Sequence, residues 1–133
     1  IKLQETLKIL KGRSIAILGL AFKPNTDDLR DAPAIDIMNR LAERGAMLRA
    51  HDPIAMDRFR REQPHLADSL RPSVNEAVQE ADAIILTTEW QEYVELDWEH
   101  LSTLVTSKNL IDTRLVLDPA VLAARGWNLV RLP

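Results

Sequence analysis

The chain has 133 residues, of which 46% are hydrophobic and 28% are charged, and it contains no cysteine. This composition is typical of a single globular domain, and the lack of cysteine excludes a thiol nucleophile or thiolate metal site within the chain. Its 17 basic and 20 acidic residues give a net charge of −3, which argues against a nucleic-acid partner. No apolar run approaches the roughly 18 residues of a membrane span, and no secretory signal is present, so we expect a cytoplasmic protein.

The first half of the chain predicts alternating strands and helices. Leu3, Leu7 and Leu10 have helical spacing, as if a helix were already under way at Ile1, which suggests a piece of a longer protein. The next elements predicted, in order, are a buried strand at Ser14–Gly19, a polar loop at 20–31, a helix that Asp31 caps and Gly45 ends, a strand at Met47–Ala50, a turn at Asp52–Pro53 and a helix at Ala55–Glu62.

The second half continues the alternation. Ser73 to Glu76 has the form of a capping box and predicts a short helix to Ala81. The elements after it are a buried strand at Ala83–Thr87, a helix that starts at Asp97, a strand at Asn109–Asp112, a helix from Asp118–Pro119 to Gly126 and a strand at Trp127–Val130. This order predicts a three-layer α/β/α domain, with a Rossmann-like, mainly parallel sheet of five or six strands.

The candidate site lies on the loops that follow the strands, because ligands of open α/β sheets bind beyond the carboxyl ends of the strands. Lys23 and Arg30 are on the loop after the first strand, and Arg114 follows a later strand. These side chains suit an anionic ligand. Ordinary solvated surface charge is the alternative that the residues leave open.

Other site chemistries fit the residues less well. A dinucleotide motif needs three glycines where only Gly19 is present, and Asp52 lies too far along the chain to be its ribose-binding acid. Asp27, Asp28 and Asp31 could form a magnesium site, but we favour a helix cap at Asp31 and loop hydrogen bonds for the other two. The three histidines lack metal-ligand spacing, and no nucleophile lies in a recognisable catalytic motif, so neither a metal site nor a catalytic residue is predicted.

A long motif in the loop after the first strand gives a more specific indication of function. Residues 18–33, with the sequence LGLAFKPNTDDLRDAP, resemble the signature that opens the C-terminal domain of the UDP-glucose/GDP-mannose dehydrogenase family. Segments similar to later family motifs follow in the family's order: Ala50–Pro53, Ala81–Trp90, Leu110–Arg114 and Leu117–Pro119. The UDP-glucose 6-dehydrogenase branch is the most similar, because FKPNTDD and TEW occur together there. The resemblance implies that residues 1–11 are the tail of an interdomain connecting helix and residues 12–133 the nucleotide-sugar-binding domain.

The resemblance also implies an activity for the whole protein. Such enzymes oxidise UDP-glucose to UDP-glucuronate in two NAD-dependent steps, through covalent intermediates on a cysteine. The NAD-binding motif, the cysteine and the general base belong to the part of the family outside this chain, so the chain alone is expected to be inactive. The implied partners are a UDP-sugar, the N-terminal NAD-binding domain and a second copy in a homo-oligomer. The alternatives are a noncatalytic nucleotide-binding or oligomerisation module, or a dehydrogenase for UDP-N-acetylmannosamine or GDP-mannose.

The resemblance assigns roles to four site residues. Phe22 and Lys23 resemble the family's substrate-contacting pair, and Arg30 resembles the arginine that reaches toward NAD. Arg114 is similar to the arginine of an Asp-Gly-Arg turn, which contacts substrate in its own or a neighbouring subunit. Thr113 replaces the glycine of that turn, so either the turn has ordinary dihedral angles or the arginine is aimed differently.

Overall fold

The computed structural model describes residues 10–132, which form five strands and seven short helices. The strands are β1 (Ser14–Leu18), β2 (Met47–His51), β3 (Ala83–Leu86), β4 (Asn109–Asp112) and β5 (Asn128–Arg131). The α-helices are α1 (Pro33–Glu43), α2 (Met56–Glu62), α3 (Val74–Val78), α4 (Gln91–Val94), α5 (Trp98–Leu101) and α6 (Pro119–Ala124), and a 3-10 helix spans Pro64–Ser69. The helix predicted for residues 1–11 lies outside the described residues, apart from Leu10 and Lys11, which are not helical.

All five strands are parallel, in the order β2-β1-β3-β4-β5. The prediction of a Rossmann-like α/β sheet with five or six strands is therefore confirmed. The chain leaves β1 toward β2 on one side and later returns to pair β3 on the other side of β1. Between the carboxyl ends of β1 and β3 lies the point where the strand order reverses, which is the usual ligand crevice of such sheets.

Alternation of side chains along the strands produces a separate core on each face of the sheet. Ile15 and Ile17 of β1 belong to the core that α1 and α2 cover, and Phe59 of α2 is fully buried there. Ala16 and Leu18 point to the other face and belong to the core formed with α3, α4, α5 and α6. Both faces are thus covered by helices of the same chain, as parallel sheets require.

The helix starts show where local sequence signals succeed and where one is wrong. Ser73 accepts a hydrogen bond from the Glu76 amide, and the Asp97 side chain accepts one from the His100 amide, as N-caps do. Asp31 does not cap α1. Ala32 occupies the N-cap position without a side-chain hydrogen bond, while Asp31 has a φ of +57°. Pro33 fixes the first turn of α1 without help from Asp31, because its φ is already helical.

Within residues 10–132, no helix is long and apolar enough to cross a membrane.

Candidate functional site

The loop after β1 is fixed at its base by a buried carboxylate from the neighbouring strand end. Asp52, which follows β2, is fully buried, and its Oδ2 accepts hydrogen bonds from the amides of Leu20 at 2.8 Å and Ala21 at 3.1 Å. Its Oδ1 accepts the amides of Ile54 and Ala55 at the start of α2. Asp52 therefore holds the loop immediately before the predicted substrate-contacting residues, a role that the sequence did not reveal.

The outer part of the same loop is held by two acid–arginine pairs. Arg30 contacts Asp28 through Nε and Nη2, the latter at 2.8 Å, and Arg58 of α2 lies 3.0 Å from Asp27. Hydrogen bonds from Arg30 hold the pKa of the Asp28 carboxyl well below its usual range. These contacts agree with a bracing role for the two aspartates. Within residues 10–132, no group of three or more potential ligands is arranged to hold a metal ion.

Phe22 and Lys23 project from this braced loop. The side chain of Phe22 is 42% exposed, which is unusual for a large aromatic residue in a small domain. Lys23 is also exposed, and no carboxylate of the described part of the chain lies within ion-pair distance of its ammonium group. The loop thus presents one apolar surface beside one positive charge that is not neutralised by a described neighbour.

The loop after β3 crosses to the loop after β1 through two buried threonines. Thr87 Oγ1 donates to the carbonyl of Gly19 at 2.5 Å, and Thr88 Oγ1 donates to the carbonyl of Ala21 at 2.8 Å. The two backbones approach so closely that a Cβ added at Gly19 would lie 2.3 Å from Thr88 Oγ1. The crevice between β1 and β3 is therefore closed at its base by direct contacts.

The turn after β4 is organised by a second buried carboxylate. Asp112 is fully buried and accepts hydrogen bonds from four successive amides, those of residues 114 to 117, at 2.8 to 2.9 Å. Thr113 does not have a positive φ, and the positive value of +59° falls at Leu115 instead. The turn therefore accommodates threonine with ordinary dihedral angles. Arg114 then pairs with Glu89 of the loop after β3, with Nη2 2.8 Å from Oε2.

All four residues suggested by the resemblance lie on loops at the carboxyl edge of the sheet. Phe22, Lys23 and Arg30 follow β1, and Arg114 follows β4. Within the described residues, no hydrogen bond joins one of the four to another. Two surface clefts, of about 780 and 260 Å³, contain none of the four. At this edge Phe22, Lys23 and Arg30 are exposed and Arg114 is partly exposed.

A buried polar pair supports the same edge beneath the loops. His51, the last residue of β2, has its Nδ1 2.8 Å from the hydroxyl of Tyr93 on α4. The Tyr93 hydroxyl also donates to the His51 carbonyl at 2.9 Å. Burial lowers the pKa of His51, against the opposing effect of Glu92 and Asp52, and burial raises the pKa of Tyr93. Both effects favour the neutral forms, so this pair holds α4 against β2 without adding charge to the edge.

Comparisons with known proteins agree with this architecture. The model of the UDP-glucose/GDP-mannose dehydrogenase family, UDP binding domain, matches residues 16–119. UDP-glucose 6-dehydrogenase of Rickettsia prowazekii is 40% identical over 119 residues, covering 90% of this chain and 27% of that protein. The solved structure of a UDP-glucose dehydrogenase from Pyrobaculum islandicum has a TM-score of 0.76 and 33% identity, covering 99% of this chain and 27% of that one. A UDP-D-ManNAc dehydrogenase from Pyrococcus horikoshii has a TM-score of 0.75 and 26% identity, covering 98% and 28%. The chain thus spans little more than a quarter of these proteins.

Proposed function

The chain belongs to the UDP-glucose/GDP-mannose dehydrogenase family, as its UDP binding domain, and from this membership we propose that it binds the UDP-sugar of an NAD-dependent UDP-glucose 6-dehydrogenase. The enzyme would oxidise UDP-glucose to UDP-glucuronate in the cytoplasm. The rest of the polypeptide would supply the NAD-binding domain and the cysteine nucleophile, and the enzyme would act as a homo-oligomer. The chain alone would then bind nucleotide without catalysing the reaction.

The observation that carries this proposal is the position of Lys23. It stands on a loop braced by Asp52, beside the crevice between β1 and β3, without a described carboxylate partner. A lysine ammonium is a compact charge that suits phosphate oxygens, and the exposed ring of Phe22 offers an apolar surface next to it. Lys23 would therefore anchor the diphosphate of the nucleotide sugar.

The residues at this edge do not fit the pyrophosphate of NAD. A dinucleotide site uses free backbone amides directly after β1, at the start of a helix. Here the amides of Leu20 and Ala21 donate to Asp52, and a long loop separates β1 from α1. NAD, which accepts the hydride in this chemistry, would accordingly be held mainly by the other domain. Arg30, whose side chain is 88% exposed, would reach toward it from this side.

The test is a Lys23→Ala substitution in the full-length enzyme, numbered as in this chain. We expect the KM for UDP-glucose to rise about tenfold, since a charge-assisted contact contributes roughly 1.5 kcal/mol or more. Lys108→Ala is the matched control, because Lys108 is exposed just before β4, at the opposite edge of the sheet. Steady-state kinetics with each substrate varied in turn measure the effect. A larger change in the KM for NAD than for the sugar would contradict the assignment of Lys23.

The identity of the sugar is the second part of the proposal. The 40% identity to a UDP-glucose 6-dehydrogenase supports glucose, whereas the similarity to a UDP-D-ManNAc dehydrogenase supports an N-acetylated sugar. Turnover of UDP-glucose, UDP-N-acetylmannosamine and GDP-mannose by the full-length enzyme separates these possibilities. We expect the highest kcat/KM with UDP-glucose. Binding of UDP without turnover of any of the three sugars would instead favour a noncatalytic nucleotide-binding module.

A further inference from the structure

Arg114 and Glu89 form an ion pair between two loops at the carboxyl edge. Arg114 Nε lies 2.9 Å and Nη2 lies 2.8 Å from the same oxygen, Oε2 of Glu89. The two side chains are 31% and 29% exposed, less than those of the other arginine pairs at this edge. The pair combines a hydrogen bond from Nε with a close ionic contact at Nη2. Because it is partly buried, it is less screened by solvent than a fully exposed ion pair.

Both partners stand on backbone that is itself fixed. The Arg114 amide donates to the buried carboxylate of Asp112 at 2.9 Å. Glu89 lies between Thr88, whose hydroxyl is bonded to the loop after β1, and Trp90, which is buried. The pair therefore joins the loops after β3 and β4, each of which is held by its own hydrogen bonds. It holds the Nε and Nη2 side of the guanidinium, while Nη1 has no hydrogen-bond partner among the described residues.

We propose that Glu89 is the positioning residue of Arg114, fixing the guanidinium so that its Nη1 side remains available to the phosphates of the nucleotide sugar. This inference rests on the proposed function and on the predicted role of Arg114 as a substrate contact. Glu89 does not touch the ligand in this arrangement, and it acts only through Arg114. If Glu89 instead competes with the phosphates for the guanidinium, then removing its charge should lower the Kd for UDP.

The experiment measures the affinity of the full-length enzyme for UDP by calorimetry. Glu89→Gln keeps the size of the side chain and removes its charge, so we expect the Kd for UDP to rise three- to tenfold. The KM for the UDP-sugar should rise with it, while the KM for NAD stays unchanged. Glu95→Gln is the control, because Glu95 is a nearby glutamate that is exposed to solvent and makes no side-chain hydrogen bond within the described residues. An unchanged or tighter Kd in Glu89→Gln would overturn the positioning role.

A double substitution separates positioning from a general structural effect. If Glu89 acts only through Arg114, the variant with both Glu89→Gln and Arg114→Ala should bind UDP as Arg114→Ala does. Weaker binding by the double variant than by Arg114→Ala would show that Glu89 acts elsewhere, and would overturn the proposal. An Arg114→Ala variant that binds UDP like the parent would overturn it too. The Lys23→Ala measurement remains independent of both results, so the proposed function is tested separately.

Discussion

At the scale of single residues, Asp52 and Asp112 determine which groups of the carboxyl edge remain able to bind an anion. Each is fully buried at the end of a strand, and each accepts four backbone amides with its two oxygens. These amides would otherwise point into the loops as donors for phosphate. Internal carboxylates already satisfy these amides, so we predict that the side chains of Lys23 and Arg114, rather than these amides, contact a ligand anion at this edge.

The contribution of the hydrogen bonds between the backbone amides and Asp112 can be measured in the isolated chain. In Asp112→Asn one oxygen becomes an NH₂ group that faces two amide donors, so we expect the free energy of unfolding to fall by about 2 to 3 kcal/mol. Asp118→Asn is the matched control. Asp118 is the exposed N-cap of α6, and asparagine caps equally well, so its effect should stay below about 0.5 kcal/mol. Urea unfolding measures both variants, and equal effects would contradict the role given to Asp112.

His51 predicts a specific dependence of stability on pH. Burial places its pKa in the folded chain below the ordinary value of 6.5. Between the two values the unfolded chain binds more protons, so the free energy of unfolding is highest above pH 6.5 and falls as the pH drops below it. The slope cannot exceed about 1.4 kcal/mol per pH unit for one group. His51→Gln lacks the titrating imidazole. Its free energy of unfolding should therefore fall less than that of the parent chain between pH 7.5 and 5.5. Parallel urea titrations compare the two proteins, and an equal fall in both would exclude His51 as the cause.

At the scale of elements, the loops after β1 and β3 cross with their backbones in close contact. Gly19 has a φ of +105°, and a Cβ at this position would lie 2.7 Å from the Thr88 amide nitrogen. Because the obstacle includes backbone, Gly19→Ala should destabilise the chain by at least about 2 kcal/mol. Gly12 is the control. Its φ is +77° with nothing within 4 Å of an added Cβ, so Gly12→Ala should cost about 1 kcal/mol. Thermal unfolding of both variants tests this, and a smaller effect at Gly19 than at Gly12 would contradict it.

The elements themselves were largely predictable, because the central strands β1 and β3 are short apolar runs and several helices carry local start signals. Ser73, Asp97 and Asp118 cap the helices that their positions predicted. Helix α4 was missed, since four residues are too few to show a helical period. The cap at Asp31 was wrong because Pro33 starts α1 without a side-chain hydrogen bond.

The site was predictable only in part, for a physical reason. Loops after parallel strands share one edge, so the sequence order alone brings Lys23 and Arg114 to the same side of the sheet. Their roles rest on the family resemblance and stay predictions. The partners Asp52 and Glu89 depend on contacts between residues distant in the chain, here 32 and 25 positions apart, which no local pattern encodes.

At the scale of the whole molecule, helices cover both faces of the sheet, whereas the loops at its carboxyl edge are exposed. Both faces of the sheet pack against helices of the same chain. At the edge, Phe22, Ile54 and Leu115 remain 42 to 52% exposed on three different loops. Met47 at the start of β2 and Val121 on α6 are exposed as well. The three residues at the carboxyl edge lie beside the candidate site, which agrees with an edge that contacts another domain. Because both faces are covered by helices of this chain, we expect it to fold without a further domain.

The isolated chain should therefore unfold in one cooperative transition. The two cores share the same five strands, so neither can lose its packing without exposing the backbone bonds that support the other. The three tryptophans provide a direct test, because Trp90, Trp98 and Trp127 all belong to the core on the α3 to α6 face. Their fluorescence reports that core alone, whereas far-ultraviolet circular dichroism reports the helices of both faces. We expect the two signals to give the same Tm. A fluorescence transition displaced from the dichroism transition by more than a few degrees would show that the core covered by α1 and α2 unfolds separately.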